Sequence, residues 1–183
     1  LLVSYDAFGL HLATSERLDE EIGWSRARME AAKYYANIIL PFGKPVKKAL
    51  ASLADFNIET ICPSHGIVWK KHVPEILSEY HQWSNQQKNK KAVIIYDSMW
   101  ESTEQMATFL AYGLQDAGII AVKRGLKLNH ISDIMTDVLD SGLILLGSPT
   151  LNNGVLPTVG GFITYLQGLA PTNKTGYAFG SYG

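Results

Sequence analysis

The chain has 183 residues, a formal net charge of −1 and a single cysteine. This length suits one large domain or two small ones, and the near-neutral charge offers no electrostatic attraction for nucleic acid or an anionic membrane. A single cysteine cannot form an internal disulfide, and no apolar run is long enough to span a bilayer, so we expect a cytoplasmic protein.

The first half of the chain predicts a mixture of strands and helices. The expected elements are a buried strand over residues 1–5, helices over 25–40, 45–54 and 73–86, and a short strand over 58–62. Pro41 and Gly43 are expected to interrupt the helical path between the first two helices. The stretch 87–91 is polar and has no apolar periodicity, which predicts a linker between two domains.

Strands and helices alternate regularly after the linker. The expected strands cover 92–96, 119–122, 142–146 and 175–179, and the expected helices cover 101–117, 131–139 and 156–169. Because these strands are apolar on both faces, the pattern predicts an α/β fold with a parallel sheet that helices cover on both sides. Ligands of such folds bind at the carboxyl ends of the strands.

The stretch YDSMWESTEQMA, residues 96–107, begins where the first of these strands ends. Its candidate ligand-binding residues are Ser98, Met99, Trp100, Glu101, Ser102 and Thr103. Free N–H groups at a helix N-terminus attract phosphate, and hydroxyls add donors without a competing charge. A loop that is rich in hydroxyls and poor in glycine and lysine differs from a P-loop and favours the way a flavodoxin holds FMN. Helix capping is the alternative, since Ser98-x-x-Glu101 and Ser102-x-x-Gln105 both fit a capping box.

Two further loops follow strands at the same predicted edge of the sheet. The candidates in the second are Ser148, Pro149, Thr150, Leu151, Asn152, Asn153 and Gly154, and those in the third are Ser181, Tyr182 and Gly183. Three polar or glycine-rich loops at one edge favour a binding site over capping. Trp100 and Tyr182 could flank a flat ring, although packing at the rim is their ordinary role.

Several stretches resemble the flavodiiron proteins, also called A-type flavoproteins. They are SYDAFGLH, KYYANIILPFGKPVKKAL, PSHGIVWK, YDSMWESTEQMA, GSPTLNNGVLPTVGGF and AFGSYG, in the order found in that family. The resemblance implies that residues 1–86 are the C-terminal part of a metallo-β-lactamase-like αββα domain. It implies that 87–91 are a linker and that 92–183 are a truncated flavodoxin-like domain with a doubly wound parallel sheet.

The resemblance also implies metal ligands in the first domain. Asp6, in SYDAFG, matches an aspartate that bridges two irons, and His65, in PSHG, matches the last histidine ligand of the non-haem diiron site. In the family the other ligands lie upstream, and no H-x-E-x-D motif occurs in this sequence. We therefore expect that this chain does not hold a complete diiron site, because two ligands cannot close one.

The implied activity is that of an FMN-dependent diiron oxidoreductase, which reduces dioxygen to water, nitric oxide to nitrous oxide, or both. Electrons would come from a donor such as rubredoxin or a flavin reductase, and the implied assembly is a head-to-tail homodimer. Two alternatives stay open: a flavodoxin-like electron-transfer module without its own catalysis, and a metallo-β-lactamase-like hydrolase. The hydrolase would explain Asp6 and His65 but not the three polar loops.

Overall fold

The structure is a computed structural model that describes residues 1–182. The chain divides into two compact units, Leu1–Asn85 and a second unit that begins at Gln86. The prediction made for Gly183 lies outside the described residues. Within residues 1–182, no helix is both long and apolar enough to cross a lipid bilayer.

The first unit contains two parallel strands, β1 (Leu2–Tyr5) and β2 (Ile61–Pro63). Tyr5 lies opposite Pro63, so both strands end at the same edge. The prediction of a buried first strand is wrong, because alternate side chains of β1 face the solvent and Tyr5 is 77 % exposed. Successive residues of a strand point to opposite faces, and only one face of β1 is even partly covered in the described chain.

Four α-helices complete the first unit: α1 (Asp19–Ile22), α2 (Trp24–Tyr34), α3 (Gly43–Leu53) and α4 (Val73–Asn85). A π-helical turn over Tyr35–Ile39 and a 3₁₀ turn over Leu40–Phe42 join α2 to α3. The prediction that Pro41 and Gly43 interrupt the helical path is wrong, because the type of helix changes there while the path continues. Pro41 lies in the first positions of the 3₁₀ turn, where its missing N–H is not needed.

Aromatic side chains form the core of the first unit and hold the loop after β1. The ring centroids of Phe8 and Tyr80 are 4.1 Å apart, and those of Tyr35 and Tyr80 are 5.0 Å apart. The Phe8 N–H donates to the Tyr80 hydroxyl oxygen, and the Trp69 indole N–H donates to the Phe8 carbonyl at 2.8 Å. These buried contacts fix the backbone two residues after Asp6.

Over residues 86–182, the second unit is a four-stranded parallel sheet with three helices. The strands are β3 (Lys91–Tyr96), β4 (Ile120–Gly125), β5 (Leu143–Gly147) and β6 (Thr175–Phe179). The helices are α5 (Ser102–Asp116), α6 (Ile131–Asp140) and α7 (Pro157–Leu169). The strand order is β4-β3-β5-β6, so the chain leaves β3 to one side and returns to its other side. This reversal between β3 and β5 is the topological switch point at which ligands of such sheets bind.

The core of the second unit is built on β3, whose residues 92–95 have no exposed surface. Ala107 and Ala111 of α5 pack against Ala92, Ile94 and Tyr96 of this strand. Small alanine side chains let the helix lie close to the sheet, which fixes the position of the loop between β3 and α5. The sequence signal for this strand, a continuous apolar run, is typical of a central parallel strand.

Polar contacts fix the amino end of the second unit. The Gln86 side chain is buried and accepts a hydrogen bond from the Thr172 N–H at 2.6 Å, which ties Gln86 to this unit. Asp137 accepts hydrogen bonds from Lys91 Nζ at 2.9 Å and Arg124 Nε at 2.7 Å. This carboxylate thus joins α6 to both β3 and β4, near the amino end of β3.

Candidate functional site

Three loops of the second unit lie together at the carboxyl edge of its sheet: the first loop (residues 97–101), the second loop (148–156) and the third loop (180–182). The Thr150 N–H donates to the Ser181 carbonyl at 2.9 Å, which joins the second loop to the third. The hydroxyls of Ser102, the first residue of α5, and Ser181 are 3.0 Å apart. The structure therefore brings the predicted loops together.

The second and third loops approach each other too closely for any residue but glycine at one position. A Cβ added to Gly180 would lie 1.8 Å from the Ser148 carbonyl oxygen, well inside any permitted contact. This close approach lets the Ser148 N–H donate to the Phe179 carbonyl at 3.1 Å. The glycine of the third loop is thus a packing requirement of the site.

The N-terminus of α5 has no side-chain cap. The helix starts at Ser102, and the preceding residue, Glu101, has a left-handed backbone with φ of 65° and makes no capping hydrogen bond. The Ser102 hydroxyl bonds to Ser181 instead, so the alternative that these serines form capping boxes is wrong. The first N–H groups of α5 are therefore open to an external acceptor.

Two hydroxyls beside this helix end are buried without a partner. Within residues 1–182, Ser98 Oγ and Thr103 Oγ1 make no hydrogen bond, and Thr103 has no exposed surface. The remaining unpartnered side-chain atom found in residues 1–182 is Tyr35 Oη, in the first unit. A buried hydroxyl left unpaired costs about 1–3 kcal/mol, so two of them at one helix end indicate a missing partner. Hydroxyl and N–H donors around a helix N-terminus suit the oxygens of a phosphate.

The second loop is shaped by its own hydrogen bonds. Leu151 and Gly154 exchange two backbone hydrogen bonds of 2.9 Å, and Asn152 and Asn153 both have left-handed backbone, as a type I′ turn requires. The Ser148 hydroxyl accepts from the Leu156 N–H at 2.9 Å and donates to the Pro149 carbonyl at 2.9 Å. Both hydrogen bonds of the Ser148 hydroxyl stay within the second loop. Ser148 therefore has less hydrogen-bonding capacity left for a ligand than Ser98 has.

The aromatic residues of the first and third loops are open to solvent. Trp100 is 86 % exposed and Tyr182 is 94 % exposed, and neighbouring Met99 is also exposed. Such exposure of large apolar side chains at the edge of a site is typical of a binding surface. That Trp100 and Tyr182 stack on a flat ring stays a prediction.

In the first unit the structure brings Asp6 and His65 together. Asp6 follows β1 and His65 follows β2, and the parallel pairing of these strands leaves Asp6 Oδ1 3.4 Å from His65 Nε2. Both side chains are more than half exposed. The residues on either side of this turn, Tyr5 and Phe8, have left-handed backbone with φ of 52° and 66°. Such strain persists where surrounding contacts hold it, here through the Phe8 backbone.

Sequence reasoning missed two neighbours of this pair. The ring of His11 lies 6.0 Å from that of His65 and 4.7 Å from that of Tyr34, and the Tyr34 ring is 6.2 Å from His65. Burial and, to a smaller degree, the Asp6 charge raise the pKa of Tyr34. His11 follows Asp6 closely in the sequence, which was the available signal, whereas nothing in the sequence around Tyr34 separates it from a core tyrosine.

The first unit contains some of the side chains that a metal site needs. A carboxylate and a neutral imidazole suit iron, and Asp6 and His65 lie close enough to share a site. Among residues 1–182, however, no group of three or more His, Cys, Asp or Glu side chains is placed to hold a metal ion. The described chain thus provides two donors and not a closed site.

Known proteins resemble the whole chain. It is 45 % identical over 185 residues to the nitric oxide reductase of Moorella thermoacetica, covering 100 % of this chain and 46 % of that protein. The structure of rubredoxin oxygen:oxidoreductase from Desulfovibrio gigas matches with a TM-score of 0.95 and 40 % identity, over 99 % of this chain and 46 % of that one. The flavodiiron protein from Giardia intestinalis matches with a TM-score of 0.94 and 33 % identity, over the same shares of 99 % and 46 %.

The chain spans about half the length of these relatives. No protein-family model matches it. The likeness to the two structures extends over both units, because 99 % of the chain is covered in each comparison.

Proposed function

The chain belongs to the flavodiiron protein family, and on that premise we propose that the full-length protein is an FMN-dependent diiron oxidoreductase. It reduces dioxygen to water, nitric oxide to nitrous oxide, or both. The observation that carries the proposal is the pair of buried, unpartnered hydroxyls of Ser98 and Thr103 beside the uncapped N-terminus of α5.

The second unit is the flavodoxin-like part, and the edge formed by its three loops is the FMN site. Its strand order, β4-β3-β5-β6, agrees with the flavodoxin-like order as far as the fourth strand. The hydroxyls of Ser98 and Thr103 would donate to the phosphate together with the first N–H groups of α5. Residues of the second and third loops, together with Trp100 and Tyr182, would hold the ring. FMN bound there supplies the one- and two-electron chemistry.

The first unit is the C-terminal part of a metallo-β-lactamase-like domain. The Asp6 carboxylate and the His65 imidazole, 3.4 Å apart, would both serve as ligands of the diiron centre. The further ligands come from other parts of the full-length protein. The diiron centre supplies the site at which the oxygen or nitric oxide is reduced.

We propose an electron donor such as rubredoxin or a flavin reductase, and a head-to-tail homodimer. The Desulfovibrio gigas relative is named a rubredoxin oxygen:oxidoreductase, and this name supports rubredoxin as the donor. The donor, the homodimer and the cytoplasmic location rest on the family and on the sequence, and each stays a prediction.

A flavodoxin-like electron-transfer module without its own catalysis is the second candidate. It is favoured by the strand order β4-β3-β5-β6 and the three loops of the second unit, which account for a flavin site without a metal. The iron content of the full-length protein separates the two candidates, since the module binds flavin without iron. A protein that binds metal but no flavin would instead favour the metallo-β-lactamase-like hydrolase.

The first experiment is the visible absorbance spectrum of the purified full-length protein, followed by denaturation and identification of the released chromophore. We expect FMN in the supernatant and iron in the protein. A colourless protein that also fails to take up added FMN would contradict the proposal.

A further inference from the structure

Asp97 is the first residue after β3, and its buried carboxylate joins three segments of the second unit. One oxygen, Oδ1, accepts the Ser98 N–H at 2.7 Å and lies 3.0 Å from Lys127 Nζ. The other, Oδ2, accepts the hydroxyl of Thr158 in the first turn of α7. Asp97 therefore ties the first loop to the segment after β4 and to the helix that follows the second loop.

Lys127 holds the same loop from its other side. Its Nζ also donates to the Ser98 carbonyl at 2.9 Å. The N–H and the carbonyl of Ser98 are thus both fixed, one by Asp97 and the other by Lys127. The Ser98 hydroxyl is left buried with no partner in the described chain. These contacts fix the backbone that carries this hydroxyl and leave the hydroxyl itself to an outside acceptor.

The negative charge of Asp97 and the positive charge of Lys127 offset each other. Burial alone would raise the pKa of Asp97, but hydrogen bonds from Thr158, Lys127 and the Ser98 amide outweigh it and lower the pKa below the ordinary 3.8. The carboxylate is therefore ionised at neutral pH. A buried negative charge beside a phosphate site would repel the phosphate, and the Lys127 ammonium next to it compensates that charge. The Lys127 side chain is 60 % exposed, so it also faces the solvent side of the loop.

We infer that Asp97 and Lys127 form a charged pair that positions the first loop for the phosphate of a flavin nucleotide. Asp97 is a positioning residue, because it acts through the backbone of Ser98 and through Thr158. The inference rests on the proposed function, since it takes the first loop as the phosphate site. It goes beyond that function by assigning the placement of the phosphate loop, as distinct from the ring site, to a charged pair that acts through the backbone of Ser98.

A similar ion pair in the same unit serves as a control. Lys91 Nζ and Asp137 Oδ1 are 2.9 Å apart, and Asp137 is also largely buried. Lys91 begins β3, whereas Asp97 follows its end, so the two pairs lie at opposite ends of one strand. Loss of the Asp137 carboxylate charge weakens its contacts with both Lys91 and Arg124 of β4, and should lower stability while the contacts of Ser98 with Asp97 and Lys127 stay in place.

The test compares FMN with riboflavin, which carries the same ring and no phosphate. Dissociation constants of both are measured by flavin fluorescence on the flavin-depleted full-length protein. For Asp97→Asn we expect the FMN dissociation constant to rise about tenfold or more, while that of riboflavin changes less than about twofold. For Asp137→Asn we expect a lower thermal unfolding midpoint and an unchanged ratio of the two constants.

Equal losses for FMN and riboflavin in Asp97→Asn, or no loss for either, would overturn the inference. If Asp97→Asn does not fold, Thr158→Val removes one hydrogen bond to the same carboxylate, and a selective loss of about threefold for FMN is expected. An unchanged ratio in that variant would also overturn the inference. If the wild-type protein binds no flavin, the proposed function itself is contradicted. This outcome is distinct from those that contradict only the role of Asp97.

Discussion

Asp6 and His65 in the first unit and the three loops of the second unit both lie where parallel strands end, but the two sites differ in what they supply. The first consists of two exposed side chains 3.4 Å apart, carried by a two-stranded sheet. The second is a set of loops joined by backbone hydrogen bonds, with two buried hydroxyls that lack partners. A wider sheet brings more loops to one edge, so the second site draws on three loops of this chain and the first on two residues.

The largest effect is expected from Gly180→Ala, which tests whether the second site depends on close packing of its loops. The added Cβ would lie 1.8 Å from the Ser148 carbonyl oxygen. We expect a loss of stability of about 3 kcal/mol, measured by urea unfolding, together with loss of FMN binding. Gly176→Ala is the matched control, because no atom lies within 4 Å of its added Cβ. Equal behaviour of the two variants would show that the loops can move apart.

A second variant, His65→Ala, tests whether the first site holds metal at all. Loss of an imidazole ligand should weaken iron binding in the full-length protein by at least about tenfold, measured by metal analysis after dialysis. His81→Ala, at an exposed position of α4, should keep its iron. Full iron occupancy in His65→Ala would show that His65 is not an iron ligand. The proposed difference between a metal site in the first unit and a flavin site in the second would then lose its support.

A smaller and more specific effect is expected from Thr103→Val, which replaces a buried, unpartnered hydroxyl with a methyl group of similar shape. Without flavin the variant should be more stable by about 1 kcal/mol, and its FMN affinity should be lower. Thr108 lies in the same helix, but its hydroxyl donates to Glu104 and accepts from Lys123. Thr108→Val should therefore lose stability and keep its FMN affinity. Lower stability in flavin-free Thr103→Val would show that this hydroxyl has a partner.

The smallest effect is a pH dependence that should separate the two units. Burial lowers the pKa of Lys174, in the second unit, from 10.5 to about 8, and the charge of Asp140 opposes this shift. Between pH 8 and 10.5 the unfolded chain keeps a proton that the folded chain has released, so stability rises with pH in this range. Burial raises the pKa of Tyr35 and Tyr80 in the first unit above 10.0, so that unit loses stability at still higher pH.

Thermal unfolding midpoints from pH 7 to 10 should show this difference. The stability gain on raising the pH should be present in the wild type and in Lys88→Met, which replaces an exposed lysine of the same unit. It should be missing in Lys174→Met. A gain of the same size in Lys174→Met would assign the effect to another group.

The sequence by itself determined the alternation of strands and helices, the parallel sheet of the second unit and the three loops at its edge. It did so because apolar periodicity and breaks at polar residues are local properties of the chain. The boundaries agree to within a few residues: β5, predicted at 142–146, is found at Leu143–Gly147. Local patterns also placed Asp6 and His65 each at the end of a predicted strand, whereas the pairing of these two strands came from the fold.

The tertiary structure decided which of these residues have partners. On residues 96–107 alone, capping boxes and phosphate binding were both open interpretations of Ser98 and Ser102. The fold rules out the capping boxes, because the Ser102 hydroxyl lies beside that of Ser181 and the N-terminus of α5 has no side-chain cap. Lys127 and Thr158 lie 30 and 61 residues after Asp97, and only the register of the parallel strands brings them to its carboxylate. A sequence pattern shows what a residue can donate or accept. The fold determines which partner it contacts, because sheet pairing joins segments that are far apart along the chain.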